Sequence, residues 1–386
     1  MIELKGITWN HTRGLLPMLA TAQRWEETHA EVSVRWEKRS LQAFADAPLA
    51  ELAARFDLMV IDHPSIGEAA TQGLLLPLDD LMPAGFLAEQ RQNSVGGSYA
   101  SYQYNGCQWA LAIDAATPVA GWRPDLMQRY GYALPRTWSD LLQLAERGAV
   151  AVPGLAIDSL MAFLMFANAL GARPFASLAA VVAAEHTAAA VEALRMVREL
   201  LQRAAPGTLQ RNPIRTWQLL AESETVAYCP FAYGYSNYSR DGYAAHPLQA
   251  GGLITLDDGT PLRSTLGGAG LAISAQCRHP ELAASYAAYV ASALCQRTLY
   301  MASGGQPGHR AAWTDAEANR VTRNFFQQTL PTLDAAWVRP RWPGYLAWQD
   351  AASTLIHQYL SEGGAPQDVL AGMEKALTTA QKGHRA

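Results

Sequence analysis

Apolar residues in the first third of the chain recur with two different periods. Residues 2–9 and 32–36 are patterned as strands, whereas 15–29 carries apolar residues at helical spacing. Residues 58–61 form an unbroken apolar run, which is typical of a parallel strand covered on both faces. A helix is expected over 64–73. Strands that alternate with helices in this way predict an open α/β sheet.

The rest of the chain has a larger share of helix. Thr137 to Asp140 has the form of a capping box, in which side chains at a helix start bond its free backbone amides. Further elements are predicted as helices over 159–172, 185–205 and 280–292, and as strands over 226–229 and 267–273. No internal repeat stands out, so the pattern predicts one continuous α/β assembly.

Polar and aromatic side chains follow two of the predicted strands directly. Trp9, His11 and Arg13 come at the end of the first strand, and Asp62 and His63 follow the apolar run described above. In open α/β sheets, ligands bind beyond the carboxyl ends of the strands. We therefore expect these five side chains to line a ligand cleft, where an arginine suits an acidic group.

Composition narrows the class of protein. A length of 386 residues is about twice the usual size of one domain and predicts two lobes. A formal net charge of -4 excludes a basic protein that coats nucleic acid, and a hydrophobic fraction of 49% excludes intrinsic disorder. Eleven Trp and fifteen Tyr indicate that a core or a ligand surface uses many aromatic rings.

The motifs of the common enzyme classes are absent from the sequence. The chain has no GxSxG nucleophile elbow, no HExxH zinc motif and no phosphate loop, and its four cysteines lack metal-ligand spacing. We therefore expect no catalytic site, no cofactor and no metal. Two alternatives stay open: paired acids drawn from Asp62, Asp114 and Asp158, and a metal held by His11, His63 and Asp62.

The N-terminus shows neither the basic start nor the apolar run of a signal peptide. The longest apolar stretch, at residues 159–172, is too short to span a bilayer. The sequence therefore predicts a soluble chain. If the protein works outside the cell, we expect that a leader was removed before residue 1.

Four segments carry a shared family pattern. The first is 56–62 with Gly-Leu-Leu-Leu-Pro-Leu-Asp at 73–79, and the second is Tyr104-Asn105-Gly106 with 109–114, 122–126 and Thr137-Trp138. The third is 267–274 with 280–283 and Gly304-Gly305, and the fourth is Arg339-Pro340 with Tyr345 and 366–370. In this order and spacing the chain resembles, over nearly its whole length, the extracellular solute-binding proteins that serve sugar-importing ABC transporters. Two residues depart from the family pattern: Ala112 stands where it has proline, and Cys107 where it has lysine.

The resemblance implies a periplasmic-binding-protein-like α/β fold, with two discontinuous lobes, a hinge and a ligand cleft between the lobes. The N-lobe would comprise 1–114 plus 266–313, and the C-lobe 115–265 plus 314–386. Closure of the lobes around the ligand would be a hinge motion. The implied partners are a small-molecule solute and the membrane permease of an ABC transporter, with no nucleic acid. A monomer that works in the periplasm or outside the cell is expected.

The resemblance also implies cleft residues in both lobes. Asp114, near the first crossing between lobes, is where the family places a ligand-binding acid, and a carboxylate accepts paired hydrogen bonds from sugar hydroxyls. Asp158 and Ser159 match polar ligand contacts at a helix start. The remaining implied residues are stacking aromatic rings and glycines that let a ligand approach the backbone, namely Phe231, Tyr233, Tyr235, Trp342, Tyr345, Gly267 and Gly268.

The expected function is the capture of a sugar or sugar derivative by a protein without catalytic activity. His11, Arg13 and His63 keep a second ligand class open, an organic acid or another anionic solute, because Arg and His mainly donate hydrogen bonds. A leaderless cytosolic sensor or an enzyme on the same fold is the other alternative.

Overall fold

Two main β-sheets organise the chain. The structure is a computed structural model and describes residues 1–41 and 48–383. Its strands are β1 (Ile2–Trp9), β2 (Val32–Arg39), β3 (Leu58–Ile61), β4 (Gln103–Tyr104), β5 (Cys107–Gln108), β6 (Leu111–Ala116), β7 (Pro118–Trp122), β8 (Tyr228–Tyr233), β9 (Gln249–Gly251) and β10 (Gly267–Ile273).

Helices make up the rest of the regular structure. They are α1 (Thr12–Glu26), α2 (Leu49–Ala53), α3 (Ile66–Thr71), α4 (Ala84–Asn93), α5 (Ser98–Ser101), α6 (Pro124–Tyr130), α7 (Trp138–Glu146), α8 (Ala156–Ala169), α9 (Thr187–Arg203), α10 (Pro213–Glu222), α11 (Pro280–Ala291), α12 (Ala293–Cys295), α13 (Arg310–Trp313), α14 (Ala316–Val321), α15 (Phe325–Asp334), α16 (Tyr345–Glu362) and α17 (Pro366–Gly383). Short 3-10 turns lie at His63–Ser65, Leu78–Asp80, Ala184–His186, Thr208–Gln210 and Ser236–Ser239, and a π turn at Gln296–Tyr300. Across 1–41 and 48–383, no helix combines the length and the apolar character needed to cross a membrane.

The first sheet, which defines the N-lobe, has five strands in the order β2-β1-β3-β10-β6. β1 runs parallel to β2 and β3, whereas β10 runs antiparallel to both of its neighbours. One face packs on α1 and α11, and the other on residues that include Phe56, Ile66 and Tyr102. All four residues of β3 are buried, as expected for a strand covered on both faces.

The second sheet, which defines the C-lobe, has three antiparallel strands in the order β8-β7-β9. Its core is built with α8, α9, α16 and α17. α8 is buried at every residue from Asp158 to Ala167, because its sequence is apolar around almost the whole circumference. The first turn of α8 faces the N-lobe, and this burial extends to its polar residues there.

The chain crosses between the lobes at segments that lie side by side. Residues 116–118 lead from β6 to β7, and the Thr117 hydroxyl donates to Ser264 Oγ at 2.6 Å and to the Thr265 carbonyl at 2.9 Å. Leu266 N in turn donates to the Trp337 carbonyl at 2.7 Å. The lobe boundaries inferred from the resemblance fall near these segments and stay a prediction at the level of single residues.

Most predicted elements are present within a few residues. β3 and β10 coincide with 58–61 and 267–273, and the capping box is formed, with Thr137 Oγ1 accepting from Asp140 N at 3.2 Å. The strand predicted over 226–229 continues to Tyr233, past Pro230. β8 tolerates this proline because the register of its pairing with β7 shifts there, between the Val119–Ala232 and Gly121–Cys229 pairs.

Candidate ligand-binding cleft

A cavity of about 650 Å³ lies where the two lobes meet, a size typical of small-molecule sites. The N-lobe contributes the ends of β1, β3 and β6 and the start of the antiparallel β10, so one edge of the sheet faces the cavity. The C-lobe contributes the starts of α8 and α10, the end of β8 and one face of α16. The predicted site residues on this wall are Trp9, Arg13, Asp62, Asp114, Asp158, Tyr233, Tyr235, Gly267 and Gly268.

Arg13 forms a buried, two-pronged ion pair with Asp114. Its Nε donates to Asp114 Oδ2 at 2.8 Å and its Nη2 donates to Oδ1, while Nη1 donates to the Gly234 carbonyl at 2.7 Å. Burial by itself lowers the pKa of Arg13, but the Asp114 carboxylate outweighs burial and raises it, so the guanidinium stays charged. Arg13 therefore links β6 of the N-lobe to the C-lobe and has few donors left for a solute.

The ring of Tyr235 packs against both Arg13 and His11. The Arg13 guanidinium lies 4.8 Å from its centroid, and His11 packs edge-on against it at 4.7 Å between centroids. His11 also caps α1, because its Nδ1 accepts from Arg13 N at 3.0 Å. Burial, helped by the Arg13 charge, lowers the pKa of His11 to about 4. A neutral His11 thus supports the wall from behind.

Asp62 is paired with Arg339, which reaches across from the C-lobe. Arg339 Nη2 donates to Asp62 Oδ2 at 2.6 Å, and Nη1 donates to Gln349 Oε1 at 3.1 Å. Burial would raise the pKa of Asp62, but Arg339 and His63 outweigh burial and hold it well below its usual range. Asp62 is therefore ionised, and its ion pair bridges the two lobes.

Asp158, in the first turn of α8, is the unpaired acid of the cavity. The residue is 7% exposed, and its Oδ2 has no hydrogen-bond partner among residues 1–41 and 48–383. Burial raises the pKa of Asp158 to about 8. Near neutral pH the free site therefore keeps a proton on this carboxyl, which can donate or accept.

Tyr233 packs against the start of β10, where two glycines are needed. A Cβ on Gly267 would lie 2.5 Å from the Tyr233 ring, and one on Gly268 would lie 2.4 Å from the Asp114 carbonyl. Gly268 also has φ +107°, which favours glycine. Packing within the wall thus explains both glycines, and their approach to a ligand stays a prediction.

Six predicted site residues do not lie on the cavity wall: His11, His63, Ser159, Phe231, Trp342 and Tyr345. His63 is fully buried behind Asp62, with Nδ1 3.2 Å from Asp62 Oδ1. Ser159 turns its Oγ to the Gly154 carbonyl at 3.0 Å. Both side chains lie behind the cavity wall, and their contact with a solute stays a prediction.

Three predicted aromatic residues, Phe231, Trp342 and Tyr345, also lie away from the cavity wall. Phe231 lies in the C-lobe core with its ring 5.9 Å from that of Phe166. Tyr345 is fully buried, and its ring lies 5.4 Å from Trp348 and 6.1 Å from Trp342. Phe231 on β8 and Tyr345 on α16 are buried in the C-lobe core, whereas Trp342 precedes α16 and packs half-buried against that core.

Several cavity residues were missed by sequence reasoning. Arg339 belongs to a segment that carried the resemblance, yet nothing in the sequence pairs it with Asp62. Gln349 and Ser353 are four residues apart on α16 and so share one helix face. That spacing of polar residues in an apolar helix was the available signal. The other missed residues with polar side chains are Gln210, Asn212, Arg215, Asp350 and Thr354.

The interior charges of the cavity nearly cancel. Arg13 is matched by Asp114 and Arg339 by Asp62, which leaves Asp158 without a counter-ion. Arg215 and Asp350 lie exposed at the rim. The rings of Trp9, Tyr233 and Tyr235 line the same cavity as these charged groups.

The sequence profile of the bacterial extracellular solute-binding proteins matches residues 8–293. The chain belongs to this family. As a solute-binding protein of the ABC transporter type, it is 25% identical over 394 aligned positions to a probable ABC transporter-binding protein of Deinococcus radiodurans, with 93% of this chain and 88% of the relative covered.

Solved structures show the same fold. Maltose-bound MalE3 of T. maritima matches with a TM-score of 0.84 at 18% identity, covering 98% of this chain and 100% of the other. A solute-binding protein of Thermotoga lettingae bound to alpha-D-tagatose matches with a TM-score of 0.82 at 16% identity, covering 98% and 100%. The periplasmic-binding-protein-like fold expected from the resemblance is confirmed, and both the family and these neighbours are binding proteins.

Proposed function

We propose that this solute-binding protein captures a sugar or sugar derivative between its lobes and delivers it to the permease of an ABC importer. The pairing of both buried cavity arginines with aspartates carries the proposal. An anionic solute would have to compete with an ionised carboxylate for Arg13 or Arg339. A polyhydroxylated solute meets no such competition, because its hydroxyls both donate and accept.

The open polar groups of the wall suit hydroxyls. Asp158 Oδ2 and Ser353 Oγ lack partners among the described residues, as does Arg339 Nε, and they offer acceptors and donors within one lobe. The rings of Trp9 and Tyr233 offer apolar faces on which the C–H groups of a sugar can stack. Two proteins of this fold bind maltose and alpha-D-tagatose, which is consistent with this ligand class.

Lobe closure is the proposed mode of capture. The N-lobe would comprise 1–114 plus 266–313 and the C-lobe 115–265 plus 314–386, with the nine wall residues named above contacting the solute from both sides. Free energy for closure has to come from contacts that form only when the lobes meet. The Arg339–Asp62 pair and the Arg13 bond to Gly234 are contacts of that kind.

The proposed partners and location follow the family. We propose a monomer that works outside the cytoplasmic membrane and delivers its solute to a membrane permease. It neither binds nucleic acid nor catalyses a reaction, as fits an extracellular solute-binding protein. Gel filtration with light scattering tests the monomer. Uptake of a labelled solute by cells with and without the gene tests the transport role.

Titration calorimetry with matched solutes tests the ligand class. The panel pairs neutral sugars with their acids, for example glucose with glucuronate and galactose with galacturonate. We expect micromolar binding of at least one neutral sugar or derivative and weaker binding of its acid. Micromolar binding of the acids without binding of the neutral partners would overturn the proposal in favour of an anionic solute.

A further inference from the structure

Asp158 is a buried acid of the cleft that has no ion pair among the described residues. It is 7% exposed, lies on the cavity wall, and its Oδ2 has no hydrogen-bond partner among the described residues. Its place in the first turn of α8 favours a negative charge through the helix dipole, but a dipole alone does not satisfy a buried oxygen. An unpaired buried acceptor in the wall of a cavity calls for a donor from the ligand.

No cation among the described residues forms an ion pair with Asp158, although Arg215 lies at the rim of the same cavity. The buried cavity arginines Arg13 and Arg339 are held by Asp114 and Asp62, and no ion pair of Asp158 occurs in the described part of the chain. Desolvation alone raises the pKa of Asp158, with no cation opposing it. A ligand hydroxyl would fill the hydrogen bond but leave any charge on the carboxylate uncompensated, whereas an ammonium group would do both.

Aromatic rings line the same cavity as the Asp158 carboxyl. Tyr233 lies beside Asp158 on the cavity wall, and the charge of Asp158 helps to raise the pKa of both Tyr233 and Tyr235. Trp9 faces the cavity from the N-lobe. A cavity that combines a carboxyl group with aromatic rings is the kind of environment in which proteins hold ammonium groups.

We infer that the solute of this cleft carries a protonated amine and that Asp158 receives it, so that an aminated sugar or polyol is selected over its hydroxyl counterpart. This inference rests on the proposed function, because it deepens the ligand class of the same site. An ammonium pairs with Asp158 as a carboxylate, so that the cavity interior stays neutral when the solute binds, and the hydroxyls take Ser353 Oγ and Arg339 Nε as further partners.

Binding of solutes that differ in one group tests the inference. Titration calorimetry at pH 7 compares glucosamine with glucose, glucamine with sorbitol, and glucosamine with N-acetylglucosamine, in which the charge is removed. We expect the amine member of at least one pair to bind at least about 10-fold more tightly. Acetylation should abolish that advantage.

Variants then assign the preference to Asp158. Asp158→Asn should bring the affinities of the amine and the hydroxyl partner to within about 2-fold of each other, and Asp158→Glu should restore part of the difference. The matched control is Asp368→Asn, which changes an exposed first-turn acid of α17 outside the cavity and should keep the preference. Circular dichroism melting verifies that each variant is folded.

The outcomes separate the two proposals. If the hydroxyl members bind as tightly as the amines, or if Asp158→Asn keeps the amine preference, the inference is overturned while sugar capture stands. If no sugar, polyol or amine of the panel binds the folded wild-type protein, the proposed function fails and the inference fails with it.

Discussion

The two walls of the cleft hold their buried aspartates in opposite ways. On the N-lobe wall, Asp114 and Asp62 are each matched by an arginine at hydrogen-bond distance. On the C-lobe wall, Asp158 Oδ2 and Ser353 Oγ of α16 have no partner in the described part of the chain. We call the N-lobe wall the saturated wall, because its buried aspartates have partners. We call the C-lobe wall the open wall, because it carries buried polar groups without partners among the described residues.

The difference separates architecture from recognition. A buried charge that already has its partner holds the fold and the lobe contacts together, and its loss is felt as instability. A buried polar group without a partner contributes little to the folded state and gains its partner from a ligand. We therefore expect substitutions on the N-lobe wall to act mainly on stability and those on the C-lobe wall mainly on binding.

The largest expected effect comes from Arg13→Ala, which breaks the most buried ion pair of the saturated wall. It leaves the Asp114 carboxylate buried without a partner, and we expect the free energy of unfolding to fall by about 3–5 kcal/mol. Urea denaturation followed by circular dichroism measures the loss.

Arg310→Ala is the matched control for that experiment. Its ion pair with Asp334 is partly exposed, with about a third of each side chain accessible, so its loss should cost less than about 1 kcal/mol. Equal effects of the two substitutions would contradict a structural role that depends on burial.

The pair that bridges the lobes gives the next effect. Arg339→Ala removes the partner of Asp62, whose side chain is 29% exposed, so we expect a smaller loss of about 2–3 kcal/mol. Small-angle scattering should also show a larger radius of gyration, because one contact between lobes is gone. Arg129→Ala, which removes an exposed ion pair with Glu224 inside the C-lobe, should change neither quantity by a comparable amount.

Local elements of the fold were predictable, and contacts between distant segments were not. The composition of residues 58–61 and 267–273 predicts that they form strands. The cap formed by Thr137 and Asp140 depends on only four consecutive residues. The Arg339–Asp62 pair joins positions 277 residues apart. Only the packing of α16 against the N-lobe brings these two side chains together.

Aromatic residues show the same limit within the site. Phe231 and Tyr233 are two residues apart on β8 and therefore share one face of the strand, so their spacing alone does not tell which ring reaches the cavity. The hydroxyl of Tyr233 reaches Thr265 Oγ1 at 3.2 Å, while Phe231, without a polar end, packs on Phe166. Polarity at the ring tip was the physical signal that separates them.

Stability against pH sharpens the comparison, because Asp158 and Asp62 titrate in opposite senses. Burial raises the pKa of Asp158 from 3.8 to about 8, so its contribution to stability is present below pH 4 and is lost as the pH rises towards 8. For Asp62, whose pKa is depressed by Arg339 despite burial, stability is lost as the pH falls below 4. Each pH unit within the Asp158 window changes the free energy of unfolding by at most about 1.4 kcal/mol.

Asp158→Asn isolates that contribution. The variant should lose part of the downward slope of stability between pH 5 and 8, measured by urea denaturation at each pH, because an amide does not titrate. Asp368→Asn, at an exposed first-turn position, should retain the wild-type slope. An unchanged slope in Asp158→Asn would mean that the carboxyl is ionised throughout that range.

Two buried serines beside the open wall give the smallest and most discriminating effect. Ser159 Oγ donates to the Gly154 carbonyl at 3.0 Å, so Ser159→Ala should cost about 1 kcal/mol of unfolding free energy. Ser353 Oγ has no partner within the described residues, so Ser353→Ala should be neutral to within about 0.5 kcal/mol, or slightly stabilising. Once a solute is known, its affinity should fall in Ser353→Ala and stay within about 2-fold in Ser159→Ala. If Ser159→Ala weakened solute binding and Ser353→Ala did not, then Ser353 on α16 would not be the group of this wall that bonds the solute.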